Sequence, residues 1–349
     1  MSSNRIKKLF FPVIAGVGVV LLTGCGTTAD YKALQPTADG MPIREVEITS
    51  PPNGGSGPEG DLASVLPLNS DGVFIDTRIS MSPINDELVF SMHTGRRSYM
   101  NVYTWRSGNG EDAGEPVDVT RDIDRINVEP TFDPQGEFIY YSSNYPDARY
   151  WKLWRYDLVD GSRTQISDDG STARVDTSPT LSPDGRRIAF ASYDREGGQS
   201  RIIVADSDGG NAERKATGHS PSWSPNGRLI AYVSTDPESE LDRIMVLDLE
   251  SDTTRTLTRG SYHDRHPAWT PDGELIVFST NRVVDEDGYR HFSIWQMDAS
   301  GRNARPLTFS TYHDMRPVVS SDGDAIFFVS NRGSTGGEVQ DWRIWRINR

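Results

Sequence analysis

Short apolar runs, each five residues long, recur along the chain. They are rich in β-branched and aromatic residues and are nearly continuous in apolarity. Such a run predicts a β-strand buried on both faces, because a strand with one solvated face would alternate apolar and polar residues. The six runs cover residues 87–91, 138–142, 187–191, 229–233, 275–279 and 325–329.

A turn of one form precedes each run. Three of the six copies read Ser or Thr, then Pro, then Asp or Asn, then Gly, as in Ser182-Pro183-Asp184-Gly185, and the other three differ from this form at one or two positions. Pro presets φ at the second position, and Gly accepts positive φ at the fourth. Successive turns are separated by 51, 49, 42, 46 and 50 residues. The turns lie at residues 82–85, 133–136, 182–185, 224–227, 270–273 and 320–323.

Each repeat contains further strand signals around this unit. A short apolar segment precedes the turn, a third strand follows the apolar run, and a weaker fourth strand comes after it in most repeats, at residues 117–120, 164–167, 254–258 and 305–308. Four antiparallel strands in about 45–50 residues, repeated six times, predict an all-β fold, a six-bladed β-propeller.

The last repeat ends at Arg349, directly after its third strand. Residues 64–68 are the only segment with the position and apolar pattern of the missing fourth strand. We therefore predict that this N-terminal strand completes the last blade and closes the ring, which leaves no unpaired strand edge at the seam. The predicted propeller domain comprises residues 63–349.

The first 25 residues predict a signal for export and lipidation. Three basic residues precede an apolar run at residues 9–22, which is shorter than the roughly 20 residues of a membrane span and suits a signal peptide. The run ends in Leu22-Thr23-Gly24-Cys25, which resembles the bacterial lipobox and implies cleavage after residue 24 and lipid attachment at Cys25. The alternative is an ordinary secretory signal with an incidental Cys.

A tether follows at residues 25–62. Its segment 51–60 contains seven Pro or Gly residues, which is typical of a flexible spacer. Residues 43–48 form either a transient extended segment or a strand that adds to a partner's sheet. Lipoproteins retained in the inner membrane commonly carry Asp next to the lipidated Cys. Because Gly26 stands there, the resemblance favours the outer membrane, facing the periplasm.

The repeats resemble the TolB-type propeller repeat. The resemblance rests on the turn and the strand after it, as in Ile188-Ala189-Phe190, and on the following Ser-Asn-Arg at 330–332 and Thr-Asn-Arg at 280–282. It covers essentially all of residues 63–349 and implies a TolB-like lipoprotein of the cell envelope, with a Pal-like protein among its possible partners. TolB carries an α/β domain before its propeller, whereas here only the tether precedes it.

Composition excludes several other classes of protein. The net charge is −14 and would be −17 without residues 1–24, so a nucleic-acid partner is not expected. A single Cys excludes an intramolecular disulfide and a multi-cysteine zinc site. The chain has no P-loop, no H-E-x-x-H, no dinucleotide fingerprint and no G-x-S-x-G, and no cofactor is predicted.

Acidic residues and histidines cluster where the innermost strands are predicted to begin. Repeated acids at equivalent blade positions would face one mouth of the axial channel, and histidines flank them in the fourth to sixth repeats. The alternative is that each Asp caps its own loop. Imidazole and carboxylate also suit a transition metal, but no known metal-site spacing is matched and no metal is predicted. The candidate channel-mouth residues are Asp76, Asp176, His219, His263, Asp264, His266, His313 and Asp314.

Two functional hypotheses follow. The first is a non-enzymatic binding or scaffold lipoprotein, which presents its propeller to a periplasmic protein or an envelope glycan. The second is a propeller enzyme, a lyase or hydrolase on acidic oligosaccharides that uses the histidine and aspartate cluster. The high negative charge would repel a polyanionic substrate unless one face were locally basic.

Overall fold

The computed structural model shows an all-β chain. It describes residues 31–35, 44–48, 63–64, 78–85, 87–92, 99–106, 116–121, 125–149, 151–168, 174–195, 198–284, 288–309, 312–332 and 342–349. Within these ranges there is no helix of the length and apolarity that a membrane span requires. Cys25, Asp76 and the predicted signal peptide lie outside them.

Three strands precede the blades. They are β1 (Tyr31–Gln35), β2 (Arg44–Ile48) and β3 (Ala63–Ser64). β1 and β2 form an antiparallel pair. β2 covers most of the segment predicted to be a short strand.

Six four-stranded antiparallel blades follow, which confirms the predicted propeller. The first strands of neighbouring blades contact one another around the whole ring, so these strands are innermost. Blade 1 contains β4 (Ser80–Met81), β5 (Glu87–Met92), β6 (Asn101–Arg106) and β7 (Val117–Asp118); blade 2, β8 (Asn127–Phe132), β9 (Phe138–Ser143), β10 (Lys152–Asp157) and β11 (Arg163–Gln165); blade 3, β12 (Arg174–Leu181), β13 (Arg187–Asp194), β14 (Arg201–Asp206) and β15 (Glu213–Thr217); blade 4, β16 (His219–Trp223), β17 (Leu229–Thr235), β18 (Asp242–Asp248) and β19 (Thr253–Thr256); blade 5, β20 (Asp264–Trp269), β21 (Leu275–Val284), β22 (Arg290–Asp298) and β23 (Arg305–Pro306); blade 6, β24 (Asp314–Val319), β25 (Ala325–Ser330) and β26 (Arg343–Asn348).

The N-terminal strand closes the ring, as predicted. β3 pairs with β26, with Ser64 opposite Trp345 and Ala63 opposite Arg346, and so becomes the fourth strand of blade 6. The rest of the predicted closing segment, residues 65–68, lies outside the described ranges. In blade 5, β1 pairs with the last residues of β21, Val283 and Val284.

The core lies between blades, on the second strands. All six residues of β25 are buried, as its continuous apolarity predicts. Leu88 and Phe90 of blade 1 pack with Phe327 and Val329 of blade 6, so the seam at which the ring closes is itself an apolar interface. The predicted turns have their predicted geometry, with φ of 69° at Gly185 and 71° at Gly227.

The fourth strands are shorter than the sequence predicts, and hydroxyl groups explain the difference. Thr258 Oγ1 accepts a hydrogen bond from the backbone N–H of Ile244 at 3.0 Å, and Thr308 Oγ1 accepts one from Ile294 at 2.9 Å. Ser167 Oγ accepts one from Leu153 in the same way. A side-chain oxygen thus takes the place of a backbone partner at the end of the ladder, so regular pairing stops earlier.

Candidate functional site

The innermost strands share a β-bulge at one equivalent position. Pairing between the first and second strands shifts register around Pro in blades 2 to 6, for example between Thr177 and Thr180. Pro cannot donate to a ladder, and a bulge re-aims the side chain beside it. The residue before each of these prolines has positive φ: Glu129 (58°), Ser178 (56°), Ser220 (51°), His266 (52°) and Arg316 (58°).

The bulged side chains meet on the propeller axis. Together with Arg78, which holds the equivalent position in blade 1, they line a cavity of about 210 Å³ to which all six blades contribute. We call these six residues the channel ring: Arg78, Glu129, Ser178, Ser220, His266 and Arg316. Trp223 and Trp269 also line this cavity.

Glu129 is the hub of the ring. Its carboxylate accepts hydrogen bonds from Arg316 at 2.9 Å and from Ser178 at 2.7 Å. Arg316 belongs to blade 6 and Glu129 to blade 2, so this pair reaches across the channel past blade 1. Burial alone would raise the pKa of Glu129, but Arg316, Ser178 and Arg78 together hold it below its usual value.

Arg78 and His266 have fewer partners. Arg78 donates to the carbonyl oxygen of Pro179 at 3.2 Å, and burial lowers its pKa although Glu129 opposes the shift. The Nδ1 atom of His266 is buried without a hydrogen-bond partner. Burial and the nearby cations Arg316 and Arg265 hold the pKa of His266 well below its usual value, so its imidazole is neutral at pH 7.

The structure places the predicted Asp264 and Asp314 inside their blades. Asp264 accepts from Arg282 Nε at 3.2 Å and Nη2 at 3.1 Å, and Asp314 accepts from Arg332 Nε at 3.0 Å and Nη2 at 2.6 Å. We call these two pairs the Asp–Arg clamps. Each arginine comes from the Asn-Arg motif, so the motif that carries the family resemblance supplies the ion-pair partner.

The clamp arginine of blade 5 is enclosed by aromatic rings. Its guanidinium carbon lies 4.4 Å from the ring centroid of Tyr262 and 5.1 Å from that of Trp295. Blade 3 satisfies the equivalent Asp176 differently: its carboxylate accepts from Ser167 at 2.7 Å and Ser192 at 2.6 Å, and Lys152 lies 3.6 Å away.

The predicted histidines do not gather at one point. His263 Nδ1 lies 3.1 Å from Oδ2 of Asp242, which also accepts from Arg265. These partners outweigh burial and hold the pKa of Asp242 below its usual value.

His313 accepts from the backbone N–H of Phe292 at 3.3 Å, beside His291. Burial is the main cause that lowers the pKa of His313 to about 4, and the neighbouring His291 adds to the shift.

Of the predicted residues that the structure describes, only His219 and His266 belong to the channel ring or touch it. His219 Nδ1 lies 3.1 Å from Ser220 Oγ, and burial lowers its pKa. Within the described part of the chain, no three or more His, Cys, Asp and Glu side chains form a group that could hold a metal ion.

Sequence reasoning missed five of the six ring residues. The signal was present, because each ring residue of blades 2 to 6 stands directly before the inner-strand Pro. The predicted residues are of types that repeat from blade to blade, whereas the ring position repeats only in geometry.

The chain is similar to known propellers. Residues 146–343 match the model of the TolB beta propeller domain, which is more than half of the 349 residues. An uncharacterised protein from Agrobacterium fabrum is 32% identical over 108 residues, covering 29% of this chain. This chain matches only 35% of that relative's length.

Solved structures share the fold. A structure described as a TolB from Agrobacterium tumefaciens has a TM-score of 0.55 and 24% identity, covering 67% of this chain and 80% of that one. An oligogalacturonate lyase from Vibrio parahaemolyticus has a TM-score of 0.52 and 11% identity, covering 92% of this chain and 98% of the lyase. By its repeat motifs, its bladed fold and the span of the match, this chain belongs to the TolB beta propeller domain family.

Proposed function

We propose that the protein is a non-enzymatic binding lipoprotein of the bacterial cell envelope. In this proposal it is anchored to the outer membrane through Cys25 and faces the periplasm. Its partner is a periplasmic protein or an envelope glycan that docks at the mouth of the propeller channel. The observation that carries the proposal is the channel ring, in which one backbone geometry holds several different polar side chains.

The backbone of the channel ring supports a role in binding, because five of its residues adopt an unfavourable positive φ. Non-Gly residues at positive φ are uncommon, and they persist where the surrounding structure or a function requires them. Here five of them point their side chains into an open cavity instead of a packed core. Membership of the TolB family supports the periplasmic location.

The anchor and the docking face are tested separately. Cys25→Ser should leave unprocessed precursor or release soluble protein in membrane fractionation; unchanged anchoring would contradict the lipid proposal.

For docking, a photoreactive residue at Ile84, which is exposed in the turn between β4 and β5, should crosslink to an envelope component in cells, because Pro225, Thr270 and Pro271 of the equivalent turns line the cavity at this end. The control is Tyr312, which is exposed before β24 at the opposite end of the inner strands. Equal labelling from both positions, or labelling from neither, would contradict docking at the mouth.

An enzymatic alternative is tested by its product. The shared fold with an oligogalacturonate lyase prompts an assay of the purified protein with oligogalacturonate. Formation of an unsaturated uronate that is lost in His263→Ala and His313→Ala would replace the binding proposal with the lyase hypothesis.

A further inference from the structure

We propose that the channel ring is a receptor for a single carboxylate joined to a small apolar group. This inference deepens the proposed function and rests on it in one respect, that the partner is recognised at the channel. The ligand chemistry follows from the charges, unpaired atoms and apolar walls of the cavity.

The charges of the ring do not balance. Arg78 and Arg316 are cationic, Glu129 is the only acid among the six, and His266 is neutral. Glu129 is already engaged by Arg316 and Ser178, whereas the hydrogen bond of the Arg78 side chain among the described residues goes to a backbone carbonyl. Two buried cations that share one carboxylate are unfavourable. One monoanion would neutralise the ring, and a guanidinium suits a carboxylate because it can donate two parallel hydrogen bonds.

His266 adds a second unsatisfied group beside this charge. Neither of its ring nitrogens has a hydrogen-bond partner among the described residues, and Nδ1 is buried. A buried polar atom without a partner is unfavourable, because it has lost its hydrogen bonds to water. A neutral imidazole can donate to a carboxylate from one nitrogen.

Most of the remaining lining is apolar, although Ser80, Ser222 and Thr270 also contribute to it. Trp223 donates its indole N–H to the carbonyl oxygen of Thr180 at 3.2 Å, and Trp269 donates to that of Ser222 at 3.2 Å. Because both indole N–H groups are used, the tryptophans offer only apolar surface to a ligand. Ile79, Pro267 and Val318 complete this wall.

The size of the cavity limits the ligand. Its volume of about 210 Å³ is below the roughly 300–1,000 Å³ of pockets for drug-sized ligands. It suits one side chain or one aryl group with its acid. Such a group could be a free organic acid or the C-terminal residue of a polypeptide, and both offer the same carboxylate.

Calorimetry with the purified full chain separates these sources. The probes are phenylacetate, phenylacetamide, and the tripeptide Gly-Gly-Phe with a free or an amidated C-terminus. We expect each acid to bind at least about tenfold more tightly than its amide. Tighter binding of phenylacetate than of the tripeptide acid would indicate a free acid, and the reverse a chain terminus. Equal affinity of acid and amide, or no binding of any probe, would overturn the proposal.

Variants with opposite expected effects guard against a folding artefact. Arg78→Met should weaken acid binding at least about tenfold, and Glu129→Gln should tighten it because a competing negative charge is removed. Arg228→Met changes an arginine in an exposed surface ion pair and should leave binding unchanged. Binding of the acids that is insensitive to both ring variants would also overturn the inference. Crosslinking from Ile84 that persists while calorimetry fails would reject this inference and leave the proposed function standing.

Discussion

The Asp–Arg clamps and the channel ring treat buried polar groups in opposite ways. Asp264 and His266 lie two residues apart on the same strand, β20. Both oxygens of Asp264 are held by Arg282 from the neighbouring strand, whereas His266 has no hydrogen-bond partner in the described residues. Both partners of the clamp come from one blade, although Nη1 of Arg282 is buried without a hydrogen-bond partner in the described residues. In the channel ring, Glu129 is paired across the channel with Arg316, whereas the imidazole of His266 is left without a hydrogen-bond partner among the described residues.

This difference shows two kinds of repetition. The clamp repeats its chemistry, since blades 5 and 6 use the same Asp and Arg at the same separation. The ring repeats its geometry, since the φ values agree while the residues differ. The constant chemistry of the clamps holds the first two strands of these blades together. Varied chemistry on a constant backbone is what we expect of a binding surface.

The largest loss of stability should come from breaking an Asp–Arg clamp. Asp264→Ala would leave Arg282 as a fully buried cation without its anion, so we expect a loss of about 3–5 kcal/mol in unfolding free energy. Denaturant unfolding measures this. The control is Arg228→Ala, which breaks an exposed pair and should cost less than about 1 kcal/mol. Similar losses for the two variants would remove the distinction between interior and surface pairs.

The next effect is the pH dependence of stability that we expect from His313, beside the clamp of blade 6. His313, next to Asp314, has its pKa lowered to about 4 mainly by burial, so the unfolded chain takes up a proton at a higher pH than the folded chain does. Stability should therefore fall as pH drops below about 6.5, by up to about 1.4 kcal/mol for each pH unit. His313→Asn should flatten this dependence in denaturation midpoints measured at pH 7 and 5. An unchanged slope would contradict the assignment.

Breaking the cross-channel pair should have an intermediate effect with its own pH signature. Arg316→Met leaves Glu129 partly buried without its guanidinium, and we expect a loss of about 1–3 kcal/mol at pH 7. The low pKa of Glu129 stabilises the folded state above the usual Glu pKa and is lost as pH falls. The deficit of the variant should therefore shrink toward acid pH. A deficit that is constant with pH would mean that the loss comes from packing.

The smallest effect should come from a ring residue without a partner. His266→Gly relieves the positive φ and removes an unsatisfied buried nitrogen, while it gives up limited packing. We expect a change of less than about 1 kcal/mol in unfolding free energy, because the two effects oppose each other. Asp264→Gly on the same strand is the matched control and should be strongly destabilising. A large loss for His266→Gly would place the ring with the clamps as a structural device.

The fold could be predicted because its signals are local and repeated. Apolar runs, turns and their spacing give the blades, and the absence of a fourth strand after the last run points to residues 63–68. The fourth strands were predicted too long because hydroxyls such as that of Thr308 replace backbone partners, which a propensity pattern does not show.

The site was harder to predict for physical reasons. The Asp positions were visible because they repeat, but their arginine partners stand 18 residues away on another strand. The ring depends on a bulge and on contacts such as Arg316 with Glu129, which are 187 residues apart. A pattern of neighbouring residues in the sequence cannot indicate a contact between residues so far apart.

Closure of the ring by β3 has a consequence for topology. Ala63 lies opposite Arg346, three residues from Arg349, so both ends of the propeller lie on adjacent strands of blade 6. The six blades therefore form a closed ring, and the first and last strands of the propeller meet in blade 6. A short linker joining Arg349 to Ala63, with new termini opened in the β18–β19 turn, should give a circular permutant with the same blades and the same channel.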